Sequence, residues 1–86
     1  VDANMPEIAR FYGIVIKLFF GDHPPPHFHA VYGEHIGLFN IDTLEMIEVD
    51  LPERAKNLVL EWAKINKENM KKMWETQKFH KLPPLE

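Results

Sequence analysis

Residues 50–63, DLPERAKNLVLEWA, decide the fold, because the periodicity of the chain changes here. An acid at Asp50, an early proline at Pro52 and a glutamate at Glu53, three residues after the acid, are the usual marks of a helix start, with Asp50 as the N-cap. Ala55, Leu58, Val59, Trp62, Ala63, Asn66, Met70, Met73 and Trp74 then recur at spacings of three and four, an apolar stripe interrupted only at Asn66. The spacing predicts one long helix over about 52–75. At 1.5 Å per residue it would be roughly 36 Å long, against 17–20 Å for a typical strand, so its last turns overhang or bend. The closing LPPLE cannot be helical and runs extended, with Leu82 and Leu85 as possible anchors.

Upstream of residue 50 the period is two. In FYGIVIKLFF, residues 11–20, Tyr12, Ile14, Ile16, Leu18 and Phe20 share one face of a predicted strand and Val15, Lys17 and Phe19 the other. GDHPPP breaks it, since three prolines supply no amide donors and hold an extended path. HFHAVY, 27–32, restarts the alternation, with His27, His29 and Val31 opposite Phe28, Ala30 and Tyr32. Gly33-Glu34 reads as a hairpin turn into a strand over 35–42, and 44–49 adds a short fourth. The expected class is α+β: an antiparallel sheet of three to four strands (11–20, 27–32, 35–42, 44–49) with the helix on one face. Residues 5–86 form one expected domain. Val1 to Asn4 precede a plausible start at Met5-Pro6 and read as an extension outside it.

Eighty-six residues allow one core, and 45% hydrophobic residues place the chain among ordinary globular proteins. Cysteine is absent, which excludes disulfides, thiolate metal ligands and a cysteine nucleophile and suits a cytoplasmic protein. No apolar run approaches the roughly 20 residues a bilayer span needs, and no signal pattern precedes the domain. Net charge is −3, but residues 1–53 hold nine Asp and Glu against Arg10 and Lys17, while 54–86 hold eight Lys and Arg against four Glu. The lysines Lys64, Lys67, Lys71, Lys72, Lys78 and Lys81 are the only candidate basic surface. They read better as helix-solvating charges that complement the macrodipole than as phosphate contacts, so nucleic acid is not an expected partner.

Chemistry concentrates in GDHPPPHFHA, residues 21–30. In a strand His27 and His29 point the same way, so one divalent ion such as zinc can take both imidazoles, with His23 the third ligand named and Asp22, Glu34 or His35 as others. A metal-binding protein or metal-dependent hydrolase built on His23, His27 and His29 is one reading. The other is a stiff corner: the prolines fix the path between strands while the histidines cap carbonyls or pack on aromatics such as Phe28 and Tyr32. Gly21, His27, His29 and Glu34 imitate a cupin motif, but Ile41 stands where its glycine should be. His27 to Val31 imitates the nucleotide-hydrolase histidine triad without the third histidine. No nucleophile with its base and no phosphate loop occurs elsewhere, so no catalytic residue is assigned.

PEIARFYGIVIKLFFGDHPPPHFHAVYGE, LPERAKNLVLEWA and KLPPLE together resemble a family of small prokaryotic domains of unknown function, marked by R-F-x-G-I-x-I and HPPPHFHA. The resemblance implies a single-domain protein often encoded beside another small protein, as in toxin–antitoxin-like pairs, and transfers no catalytic residue. One helix covers one face of a sheet, yet Val15 and Phe19, joined by Phe39 and Ile41, are expected on the other. A second copy of the chain, or a small partner protein encoded nearby, is the expected cover. The sequence therefore favours a cytoplasmic interaction or regulatory module, with the metal site as the alternative.

Overall fold

A computed structural model describes residues 6–48 and 50–86. Five strands, β1 (Glu7–Phe11), β2 (Ile14–Lys17), β3 (His27–Tyr32), β4 (His35–Asn40) and β5 (Met46–Glu48), precede one helix, α1 (Glu53–Thr76). The strands form an antiparallel sheet in sequence order. The α+β class expected from the two periods is the one found, with one strand more. Val1 to Met5, read as an extension and a start, lie outside the described residues, as does Val49 at the end of the expected fourth strand.

The extra strand comes from a turn inside FYGIVIKLFF. Tyr12 and Gly13 have φ of 48° and 78°, so the chain reverses there and Phe11 faces Ile14 across the hairpin. Two residues with positive φ match the right-handed twist of paired strands, as type I′ turns do. The turn also resets the alternation: Phe11 is buried with Ile14, Ile16 and Leu18, whereas Tyr12 and Phe20, expected beside them, are exposed. Gly13 is needed for its φ; an added Cβ would meet the Tyr32 ring at 3.4 Å, an ordinary packing distance. Gly13→Ala should therefore cost about 1–2 kcal/mol, the left-handed penalty of an L-residue, and lower the melting temperature by roughly 4–16 °C. An unchanged melting curve would relocate the turn.

Gly33-Glu34 makes the second hairpin, pairing Tyr32 with His35 as expected. β4 stops at Asn40, two residues early, because the Asn40 side chain accepts the amides of Asp42 (2.8 Å) and Thr43 (3.0 Å) and turns the chain. Phe39 and Ile41, expected on the uncovered face, are instead fully buried under the helix, where Phe39 stacks on Phe28 with ring centroids 5.1 Å apart. The phase follows from register: Phe28 opposes Phe39 and Ala30 opposes Gly37. Gly37 leaves room for Leu51, whose side chain would lie 2.8 Å from a Cβ there.

Ala55, Val59, Trp62, Ala63, Asn66, Met70 and Met73 are the buried positions of α1, as its spacing predicts. Trp62 is the centre of the core, with Phe11 and Phe28 at 5.6 and 6.3 Å. Asn66 escapes an unpaired burial by donating to the Trp62 carbonyl one turn back. Two expectations at the helix ends fail. The N-cap is Pro52, not Asp50, with no side-chain capping bond, because Leu51 is drawn onto Gly37. The last turn holds no basic residue, so the lysines do not complement the macrodipole there; Lys71 instead pairs with Asp42 at 3.2 Å.

The tail is anchored as its composition suggests. Leu82 is buried and its amide donates to the Ile8 carbonyl at 2.7 Å, covering the free edge of β1, while the Trp62 indole donates to the Pro83 carbonyl at 2.8 Å. Glu7, lowered to about 2 mainly by its hydrogen bond with Arg10, also meets Lys81 at 3.5 Å. No described helix is long and apolar enough to cross a membrane.

Candidate metal centre

The loop between β2 and β3 is bound to the residues that follow α1. Phe20 stacks on Phe79 with centroids 4.2 Å apart, and the Gly21 amide donates to the Gln77 side chain at 2.7 Å. Gln77, in the left-handed region at φ 59°, caps the helix through its amide to the Met73 carbonyl. These contacts bring Asp22 over the start of β3, on the sheet face turned away from Phe28 and the core.

Three side chains converge there. One atom each from Asp22, His27 and His29 lies within 4.8 Å of the others. Nε2 of His27 is 2.8 Å and Nε2 of His29 is 3.9 Å from the same carboxylate oxygen, Oδ2 of Asp22. Those separations bracket the about 3.3 Å between two ligands that sit 2.0–2.1 Å from a tetrahedral ion. Aromatic walls enclose the group: Phe19 stacks on His29 at 4.2 Å and Trp74 lies 5.2 Å from His27.

Hydrogen bonding explains why the arrangement suits a cation. Nδ1 of His27 lies 2.7 Å from the Pro25 carbonyl, which can only accept. That contact places a proton on Nδ1 and turns the lone pair of Nε2 toward Asp22, which also accepts only. Both ring nitrogens face acceptors, an arrangement that a cation shared with the carboxylate would satisfy. A carbonyl behind a ligating imidazole is also the usual support of metal-bound histidine. Nε2 of His29 is buried and finds no hydrogen-bond partner among the described residues, a cost that a bound ion would remove.

Burial pushes His29 below the ordinary histidine value; His27 adds to the shift and Asp22 opposes it. Metal-free protein should therefore show His29 titrating below about 6.5. In that window the unfolded chain binds the extra proton. The contribution of this group to stability is complete above about 6.5 and falls as pH drops through that value toward the folded one. Ring-proton NMR across pH 4 to 8 measures the midpoint, and a value at or above about 6.5 would contradict the enclosure.

Of the residues named from the sequence, His27 and His29 are brought together and His23 is not part of the convergence. The His23 ring is exposed and reaches the other carboxylate oxygen, Oδ1, at 3.2 Å. Glu34 and His35 lie at the far hairpin, where His35 meets Asp50 at 3.6 Å. Asp22 converges with the two imidazoles, and the His23 ring does not. Alternation fixes side-chain directions only within a strand, and Asp22 precedes three prolines. The corner reading also has a real element in the Pro25 cap, although the aromatics against the histidines are Phe19 and Trp74, not Phe28 and Tyr32.

A family model described as a domain of unknown function, DUF4160, matches residues 13–75. The chain belongs to this family. The matched span runs from the Gly13 turn through the Asp22, His27 and His29 cluster to the last turn of α1 and also takes in Trp74. Neither the search of curated proteins nor that of solved structures returned a match.

Proposed function

We propose that this DUF4160 domain is a small interaction or regulatory module whose β2–β3 corner is organised by a divalent cation, zinc being the best fit to two imidazoles and a carboxylate. The observation that carries the reading is the convergence of Asp22, His27 and His29 with Nε2 of His29 buried and unpaired among the described residues. The ion would tie the β2–β3 loop and the helix end that it grips to the first residues of β3. Phe19 and Trp74 across the two imidazoles suit an ion that holds structure, and they favour this role over a hydrolase that must admit a substrate. A cytoplasmic setting, with a small protein from a toxin–antitoxin-like gene pair as partner, accords with the lack of cysteine and with the sequence resemblance.

Zinc titration followed by the ring signals of His27 and His29, with metal content measured after dialysis of untagged protein, tests the reading. Binding should saturate and raise stability; at 100 times the dissociation constant the gain is about 2.7 kcal/mol, or roughly 10–20 °C in melting temperature. Unshifted histidine signals and an unchanged melting curve at millimolar zinc would leave the cluster a structural corner.

A further inference from the structure

The end of the sheet opposite the Asp22 corner holds a cavity of about 350 Å³, between the β1–β2 turn, the last residue of β3 and the first turns of α1. Its floor is apolar, made by Ile14, Ala55 and Leu58, and its polar groups come from Tyr12, Tyr32 and Arg54. The Tyr32 ring lies beside the Gly13 turn, so both tyrosines stand at the hairpin end, Tyr12 59% and Tyr32 38% exposed. Tyr12 is the unexpected residue. At φ 48° it holds the first turn position, where the left-handed backbone favours asparagine or glycine and a bulky side chain is an outlier. A ring more than half exposed does not offset that strain by packing. Strained residues of this kind collect at ligand clamps.

Arg54 supplies the charge. Among the described residues no carboxylate lies within ion-pair distance of it. The acids that flank Tyr32 and Arg54 in sequence, Glu34, Asp50 and Glu53, do not line the cavity, and Asp50 meets His35 instead. A guanidinium offers two parallel N–H groups to a carboxylate. No lysine joins it in the lining, so the cavity balances one negative charge and suits a carboxylate better than a phosphate dianion. The tyrosine rings can meet an aromatic ligand face to face with an offset or edge to face. A volume at the small end of the about 300–1,000 Å³ of ligand cavities limits that ligand to one or two rings. We infer that this cavity binds a small aromatic carboxylic acid, its ring against Tyr12 and Tyr32 and its carboxylate on Arg54. The site shares no residue with the cation corner at the other end of the strands.

Titration of the full chain with sodium naphthoate, followed by backbone and tyrosine-ring NMR signals with EDTA present so that the result does not depend on the proposed cation, tests this inference. Signals of Tyr12, Gly13, Tyr32 and Arg54 should move saturably with a dissociation constant of about 0.1–1 mM, the range for a ligand of about a dozen non-hydrogen atoms, while those of His27 and His29 stay in place. Cyclohexanecarboxylate, which keeps the charge and lacks the aromatic ring, should bind at least about threefold more weakly. Arg54→Gln should weaken naphthoate binding at least about tenfold, and Arg54→Lys by less. Tyr12→Asn should weaken it at least about threefold and yet melt about 2–8 °C higher, because asparagine suits the turn. Absence of saturable shifts at about 10 mM naphthoate would overturn the proposal. So would equal affinity for the two acids, or an Arg54→Gln protein that binds like the wild type. A Tyr12→Asn protein that melts below the wild type would overturn it as well, since the ring would then serve the fold. Native backbone NMR spectra establish that the variants are folded.

Discussion

Trp62→Ala is expected to lose about 3–5 kcal/mol, the usual cost of deleting a buried aromatic. The side chain is 1% exposed, packs between Phe11 and Phe28, and donates its indole proton to the Pro83 carbonyl, so it joins the first hairpin, β3 and the tail. An 86-residue domain has roughly 4–13 kcal/mol of total stability, so the loss removes from about a quarter of it to all of it. Trp62→Phe should lose less, the indole hydrogen bond of about 1 kcal/mol plus part of the packing. Circular dichroism melts of both variants make the comparison. A Trp62→Ala protein that melts like the wild type would mean that the helix stripe does not hold the sheet.

Removing one ligand of the corner should weaken zinc binding by at least about 100-fold, since loss of a mere supporting contact behind a ligand already costs 10–100-fold. Asp22→Asn is the most informative variant because it keeps the shape and removes the charge that both Nε2 atoms face. His27→Ala and His29→Ala should act comparably. His23→Ala should change affinity by only a few fold, as its exposed ring engages the other carboxylate oxygen. His35→Ala, at the opposite hairpin, should change nothing. Competition titration with a chromophoric chelator gives the affinities. If His23→Ala were as damaging as His29→Ala, the ion would lie on the Oδ1 side of Asp22 and the geometry derived above would be wrong. Uptake should also weaken below pH about 6.5, where protons compete for imidazole nitrogen.

The two periods in the chain determined the architecture by themselves. Helical spacing from Ala55 to Trp74 needs no partner to be read, and it named the seven buried positions of α1 because burial on a straight helix is a matter of angle alone. Alternation in HFHAVY likewise put His27 and His29 on one face and Phe28 and Ala30 on the other, and Gly33-Glu34 set the register of β3 with β4. The absence of cysteine narrowed the chemistry to imidazole and carboxylate.

Tertiary structure decided what alternation cannot carry across a break. Tyr12-Gly13 turns the chain without interrupting the run of apolar residues, so a hairpin reads as one long strand until pairing shows Phe11 against Ile14. Asn40 ends β4 by a side-chain bond that preserves no periodic signal, and the pairing of β4 with β3 put Phe39 under the helix. That Asp22, and not His23, converges on His27 and His29 goes with a contact 56 residues apart, the Gly21 amide on the Gln77 side chain. Local sequence specifies which residues share a face when backbone geometry is regular. Where prolines and turns remove that regularity, only the packing of distant segments fixes the direction of a side chain.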